Sequence, residues 1–148
     1  MVSIALYYPS LEYSGGIERV VVELCRIFKE KSHPCVLLTD VEPRFYRNRI
    51  NVECFLLPTD IVMRQKTWSE TIQEHKVQFV ITNGGFGAPN LQDIEFIHGA
   101  GAKVINTIHF SFPSPILFNE AWESFSNARK IGQECDAVTT VNKLDAGW

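Results

Sequence analysis

The chain has little of what marks several common function classes. It has no run of about 20 apolar residues, the length that a membrane-crossing helix needs, although 45% of its 148 residues are hydrophobic. The apolar stretch near Met1 is short and lacks a basic region before it, so it reads as a strand and not as a secretion signal. Positive charge is not in excess: 14 Lys and Arg stand against 17 Asp and Glu, a formal net charge of -3. That balance argues against a nucleic-acid partner, which calls for a dense basic surface. Cysteine is sparse. Cys25, Cys35, Cys54 and Cys135 form no C-x-x-C pair and lie in apolar runs, as reduced, small hydrophobic fillers do. The expectation is a cytoplasmic chain, with peripheral contact at the inner face of the cell membrane as its extension.

Familiar catalytic motifs are missing as well. No G-x-x-x-x-G-K-[ST] appears, which excludes a Walker-type phosphate loop. No G-x-G-x-x-G follows the first strand, so a standard dinucleotide site has no support. There is no G-x-S-x-G elbow and no Cys–His pairing of a nucleophile with a base. His33, His75 and His98 are scattered, without metal-ligand spacing, and no metal is expected.

What the sequence does contain is alternation. Apolar runs at Ser3–Tyr8, Cys35–Thr39, Val52–Leu57, Val77–Thr82, Lys103–Ile108 and Ala137–Val141 read as strands. Between them lie helical patterns. Ile17 to Lys31 repeats apolar residues at helical spacing through Ile17, Val20, Val21, Leu24, Ile27 and Phe28. Further helices are predicted over about Asp60–His75, whose best-patterned part carries Trp68 and Ile72, and over Leu91–His98, stopped at Gly99-Ala100-Gly101. A last helix is started by Pro113 and Pro115, with Leu117, Trp122, Phe125 and Ile131 as core candidates. This order predicts an α/β fold: one Rossmann-like parallel sheet with helices on both faces. With no repeat and no linker, residues 1–148 read as one domain.

In such sheets ligands bind beyond the C-terminal strand ends, so the informative loops are 9–16, 40–44, 83–90 and 109–115. Gly15-Gly16 opens a helix straight after the first strand. Free backbone N–H groups and the partial positive charge there suit a phosphate, and glycine lets it come close. The plain alternative is a tight turn. Asp40 reads either as a strand-end turn residue or as a ribose-binding acid. Asn83, Gly84 and Gly85 read either as a turn or as the wall of an acceptor pocket. The basic residues Arg44, Arg47, Arg49, Arg64 and Lys66 read as a solvated loop and helix face, or as a patch for an anionic acceptor or membrane surface.

The segment Ser14-Gly15-Gly16-Ile17-Glu18-Arg19-Val20 resembles the G-G-[small or apolar]-E-R signature of family 4 glycosyltransferases, enzymes of the two-domain GT-B fold. The helix that follows, the strand order and His109 at the end of the fifth strand extend the resemblance. It implies an N-terminal, acceptor-side domain, with a C-terminal donor domain supplied in cis or in trans. It implies that Gly15 and Gly16 reach the donor diphosphate and that His109 lies near the transferred sugar. Glu18, Asn83, Gly84 and Gly85 then become acceptor-side candidates. The implied activity is retaining transfer from a nucleotide-diphosphate sugar to a glycan or lipid acceptor, with no separate cofactor. The family's E-x7-E element has no counterpart here, since Glu120 and Glu123 have the wrong spacing. The chain is therefore expected to be inactive alone. The rivals are a non-catalytic binding or pairing module and an unrelated nucleotide-binding α/β domain.

Overall fold

The computed structural model describes residues 1–83, 89–109 and 121–140. In chain order the elements are β1 (Ile4–Tyr7), α1 (Gly16–Glu30), β2 (Cys35–Thr39), β3 (Glu53–Leu56), α2 (Ile61–Glu74), β4 (Phe79–Thr82), α3 (Leu91–Gly99), β5 (Lys103–Ile108), α4 (Ala121–Glu134) and β6 (Ala137–Thr140). The six strands form one sheet in the order β3-β2-β1-β4-β5-β6, and every neighbouring pair is parallel. The predicted α/β architecture is therefore the observed one. Strand order reverses direction between β1 and β4, the switch point where sheets of this kind open a crevice.

Alternating side chains divide between two apolar layers. Ala5, Tyr7, Val36, Leu38, Val80 and Val104 meet Trp68 and Ile72 of α2, Ile94 and Ile97 of α3, and Ile131 of α4. Ile4, Leu6 and Leu37 face the other way, onto Val21 and Cys25 of α1 and onto Leu11 and Tyr46 from loops. Both faces of β1 are buried, which is why it reads as an unbroken apolar run. Each fully buried leucine here contributes roughly 1.5–3 kcal/mol by burial.

Some expectations need correction. The buried line of α1 centres on Val21 and Cys25, whereas Val20 and Ile27 face solvent. The helical repeat admitted several adjacent stripes, and packing on Leu6 and Leu37 selected one. Cys54 is exposed, because β3 is an edge strand with little against it. The largest correction is Arg64, which is buried and not on a solvated face. Pro113, Pro115, Leu117 and Trp148 lie outside the described residues, and the side chains of Trp122 and Phe125 are not among those described.

The first three helices end alike. At the end of α3, Gly101 has φ +93°, its N–H bonds to His98 O at 2.9 Å, and Ala102 N–H bonds to Ile97 O at 3.2 Å. This is the Schellman ending, which favours glycine at the left-handed residue. The same bonds close α1 and α2, but with Ser32 at φ 60° and Lys76 at φ 51°. A side chain in that region costs about 1–2 kcal/mol. Lys76→Gly is therefore expected to stabilise the chain by about 0.5–1 kcal/mol after glycine's own entropy cost. A urea midpoint no higher than wild type would contradict this.

Candidate functional site

The loop after β1 is built as a fixed edge to the crevice. Pro9 O accepts from Asp40 N (2.9 Å) and Val41 N (3.2 Å) and from Thr39 Oγ1 (3.1 Å). Leu11 is driven fully into the core. The loop then delivers Gly15 as the N-cap of α1, in extended backbone and with no side-chain cap. The next two helices differ: Asp60 caps α2 through Met63 N at 2.9 Å, and Asn90 caps α3 through Asp93 N at 2.8 Å. Among the described residues, the first turn of α1 thus has no side chain bonded across its N–H groups.

Gly15 and Gly16 are not equivalent. A Cβ on Gly15 would overlap the carboxylate of Glu18, while one on Gly16 would meet nothing. Glu18 is turned back toward the helix start, and Tyr8 OH donates to its Oε1 at 3.1 Å. Burial pushes the Tyr8 phenol up to about 12, and the neighbouring Glu18 charge adds to this. The carboxylate also complements the positive end of the helix. Glu18 is therefore brought to the phosphate candidates Gly15 and Gly16, as an anion in the same place.

Two further candidates come together on the other side of the switch point. Asn83 leaves β4 fully buried, and its backbone N–H bonds to Tyr7 O at 2.9 Å. Its Nδ2 donates to Ile81 O at 3.3 Å, which turns Oδ1 toward His109 Nε2 at 3.2 Å. An amide oxygen only accepts, so His109 carries its proton on Nε2 and leaves Nδ1 as an acceptor. Below them Thr82 donates to Asn106 Oδ1 at 2.8 Å. Gly84 and Gly85 lie outside the described residues, as does most of the 109–115 loop.

Burial holds the His109 pKa below its ordinary 6.5. The unfolded chain then takes up this proton before the folded chain does. The associated stability is complete above pH 6.5 and is lost as pH falls from there through the folded value. His109→Gln is expected to lessen the fall in stability between about pH 7.5 and 5, because glutamine does not titrate. Urea melts at the two pH values check this, and an unchanged pH slope would count against a neutral, half-buried imidazole.

The sequence reading missed a buried polar cluster at the same end of the sheet. Arg64, in the first turn of α2, meets Asp93 of α3 with Nε at 2.6 Å and Nη2 at 2.8 Å. Its Nη2 also donates to Tyr7 OH at 3.2 Å, and its Nη1 stands 2.8 Å from Asp40 Oδ1. Trp68 Nε1 donates to Asp93 Oδ1 at 2.8 Å, and Tyr7 OH donates to Asp40 Oδ2 at 2.9 Å. Burial works against the Arg64 charge, but the two carboxylates outweigh it and hold its pKa well above the ordinary range. Burial and the same acids push the Tyr7 phenol far up. Asp93 is fully buried, while Asp40 is the partly open end of the cluster. Asp40 is thus a strand-end residue held by Tyr7 and Arg64.

The sequence signal for this cluster lies in an inversion. Ile61, Val62 and Met63 are exposed in the first turn of α2, and the arginine beside them is buried. Leu56, at the end of β3, and Leu91, at the start of α3, are also exposed. All five stand at the C-terminal end of the sheet. A pocket of about 310 Å3 opens at the ends of β2 and β3, between Thr39, Leu56, Glu42 and Arg47.

Among the described residues no cluster of His, Cys, Asp and Glu is placed to hold a metal ion, and no helix is long and apolar enough to cross a membrane. No protein-family model matches the chain, and no curated protein matches it either.

Proposed function

We propose that this chain is the acceptor-side half of a retaining, GT-B-type glycosyltransferase. In this reading it moves a sugar from a nucleotide-diphosphate donor to a glycan or lipid acceptor. The observation that carries the reading is the G-G-I-E-R segment: it starts α1 at the switch point, where the helix has no side-chain cap. Backbone N–H groups there suit a diphosphate, and Gly16 leaves the approach open. The Asn83–His109 pair, with Nδ1 as an acceptor, suits a sugar hydroxyl. The exposed apolar residues Leu56, Ile61, Val62, Met63 and Leu91 suit a surface met by a second domain in cis or in trans. Contact with the inner face of a membrane, and a cytoplasmic setting, belong to the same proposal.

One observation favours the rival reading, a non-catalytic binding or pairing module. The Glu18 carboxylate already stands where a phosphate would approach, and two anions at one helix start repel. Titration with a nucleoside diphosphate, followed through backbone amide resonances, separates the two. The transferase reading expects saturable shifts at Gly16, Ile17 and Glu18, strengthened in Glu18→Gln. No shift there in either protein would leave the pairing module as the better account.

A further inference from the structure

Away from the crevice, on the face of the sheet that α1 covers, three of the four cysteines gather. α1 ends at Glu30 and β2 begins at Cys35. The turn between them is tied down by His33 N–H to Phe28 O and by Ile4 N–H to Pro34 O, both at 2.9 Å. The helix is thereby folded back along the strand that follows it. Cys25 of α1 is fully buried, and Cys35 packs against the same apolar cluster. The two thiols are in hydrogen-bonding contact. Cys54 is on this face too, but it sits opposite Leu37, two residues along the strand from Cys35. Cys135 packs in the other layer.

One buried thiol is ordinary packing. Two thiols in contact, from two elements, share a chemistry that neither has alone. The pair is also asymmetric. Its hydrogen bond to Cys35, with burial added, holds the Cys25 thiol protonated, far above the ordinary range. The same bond lowers the pKa of Cys35 against the effect of burial. By contrast, burial and the Asp136 and Glu134 charges push Cys135 up to about 12. The attacking species in thiol chemistry is the thiolate. Cys35 is half-buried, while Cys25 is closed off. Access and ionisation therefore favour the same thiol.

We propose that Cys25 and Cys35 form a dithiol site that exchanges with small-molecule disulfides of the glutathione disulfide class, Cys35 attacking and Cys25 resolving. The Cys35 thiolate, its proton given to solvent, attacks one sulfur of the small disulfide, whose S–S bond breaks. A mixed disulfide forms, and the departing thiolate takes a proton from solvent. Cys25 then attacks the Cys35 sulfur, and the second small thiol departs with the Cys25 proton. The protein's two thiols are oxidised to one disulfide, and the small disulfide is reduced to two thiols. The sulfurs must close to about 2.05 Å, a movement that falls on the two side chains and on the surface turn at 31–34. The product staples α1 to the first residue of β2. This site stands whether or not the chain takes part in sugar transfer.

The folded full chain would be equilibrated with reduced and oxidised glutathione in varied ratio, quenched by alkylation and mapped by mass spectrometry. Cys54 is exposed and takes up glutathione on its own account, so Cys54→Ala serves as the reference protein. Its two thiols at positions 25 and 35 should disappear together, as one Cys25–Cys35 disulfide that dithiothreitol reverses. In that background Cys25→Ala should stop at a glutathione adduct on Cys35. Cys35→Ala should slow the first reaction at least about tenfold and give no disulfide. Cys135→Ala should leave the Cys25–Cys35 disulfide unchanged. The mapping of the reference protein alters no core residue, so it decides the pairing independently of how well the core variants fold. Thiols at positions 25 and 35 that stay free at the most oxidising ratio overturn the proposal. So does a disulfide to Cys135 in its place, or an end state of separate glutathione adducts without a cross-link.

Discussion

Arg64→Met is expected to destabilise the chain by about 3–5 kcal/mol, the usual cost of removing one partner of a buried ion pair. Methionine fills much of the same space, so the effect isolates charge from volume. It leaves Asp93 fully buried, with Trp68 Nε1 as its remaining side-chain donor. It also removes the guanidinium from beside Tyr7 and Asp40. For a chain of this size the melting temperature should fall by roughly 6–20 °C. Arg64→Met combined with Asp93→Leu should recover part of the loss, because an apolar pair in place of a buried ion pair is often neutral. Recovery stays partial, since the Trp68 indole N–H then lacks its acceptor. A loss below about 1 kcal/mol in the single variant, measured by urea unfolding at neutral pH, would mean that this pair behaves like an exposed one.

The second large effect is expected on function. If the proposed transferase reading holds, Gly16→Val should lower use of a nucleotide-diphosphate donor at least about tenfold in this chain joined to a donor domain, as blocked access to a helix start would. Its fold should hold, since a Cβ at Gly16 meets open space. No positive φ adds strain, because Gly101 is the glycine found in that region among the described residues. Gly15→Val is the contrasting case. Its side chain must displace Glu18 from the place where Tyr8 holds it, so activity and stability should fall together. Donor KM and kcat beside thermal melts for both variants decide the matter. Unchanged kinetics in Gly16→Val would reduce the loop to a turn.

The elements were legible where local pattern decides them. Leu91 begins α3 and Lys103–Ile108 forms β5 as read, because apolar runs bounded by Gly, Pro and Asn leave few alternatives. The Gly101 stop was legible for the same reason. The candidate site was legible only in part. Gly15 and Gly16 stand out at a helix start and His109 at a strand end, and Asn83 joins His109 by adjacency of β4 and β5. The pairing of Asn83 with His109 depends on strand order, which a linear pattern does not contain. Arg64 was beyond reach for a different reason. An arginine on a helix is nearly always a surface residue, and its partners, Asp40 and Asp93, come from elements on either side of it in the chain. Only the assembled layers bring the three together. The neighbouring Ile61-Val62-Met63 carried the warning, since apolar residues turned outward where a charge turns inward break the normal rule, and such breaks collect at functional ends of folds.

The central position of β1 has a consequence for how the protein is made. One flank of β1 pairs with β2, beginning with Ile4 opposite Cys35, and the other waits for β4, with Ile4 opposite Phe79. During synthesis, at about 5–20 residues per second, β1, β2 and β3 leave the ribosome about 1–5 seconds before the strand that covers that second flank. Through this interval the nascent chain presents an apolar edge with open backbone donors and acceptors, the form most prone to mispairing. Contacts so distant along the chain also form slowly. The protein's most vulnerable moment is thus set before its crevice exists, and translation speed across residues 57–82, more than final stability, should govern how much of it reaches the folded state.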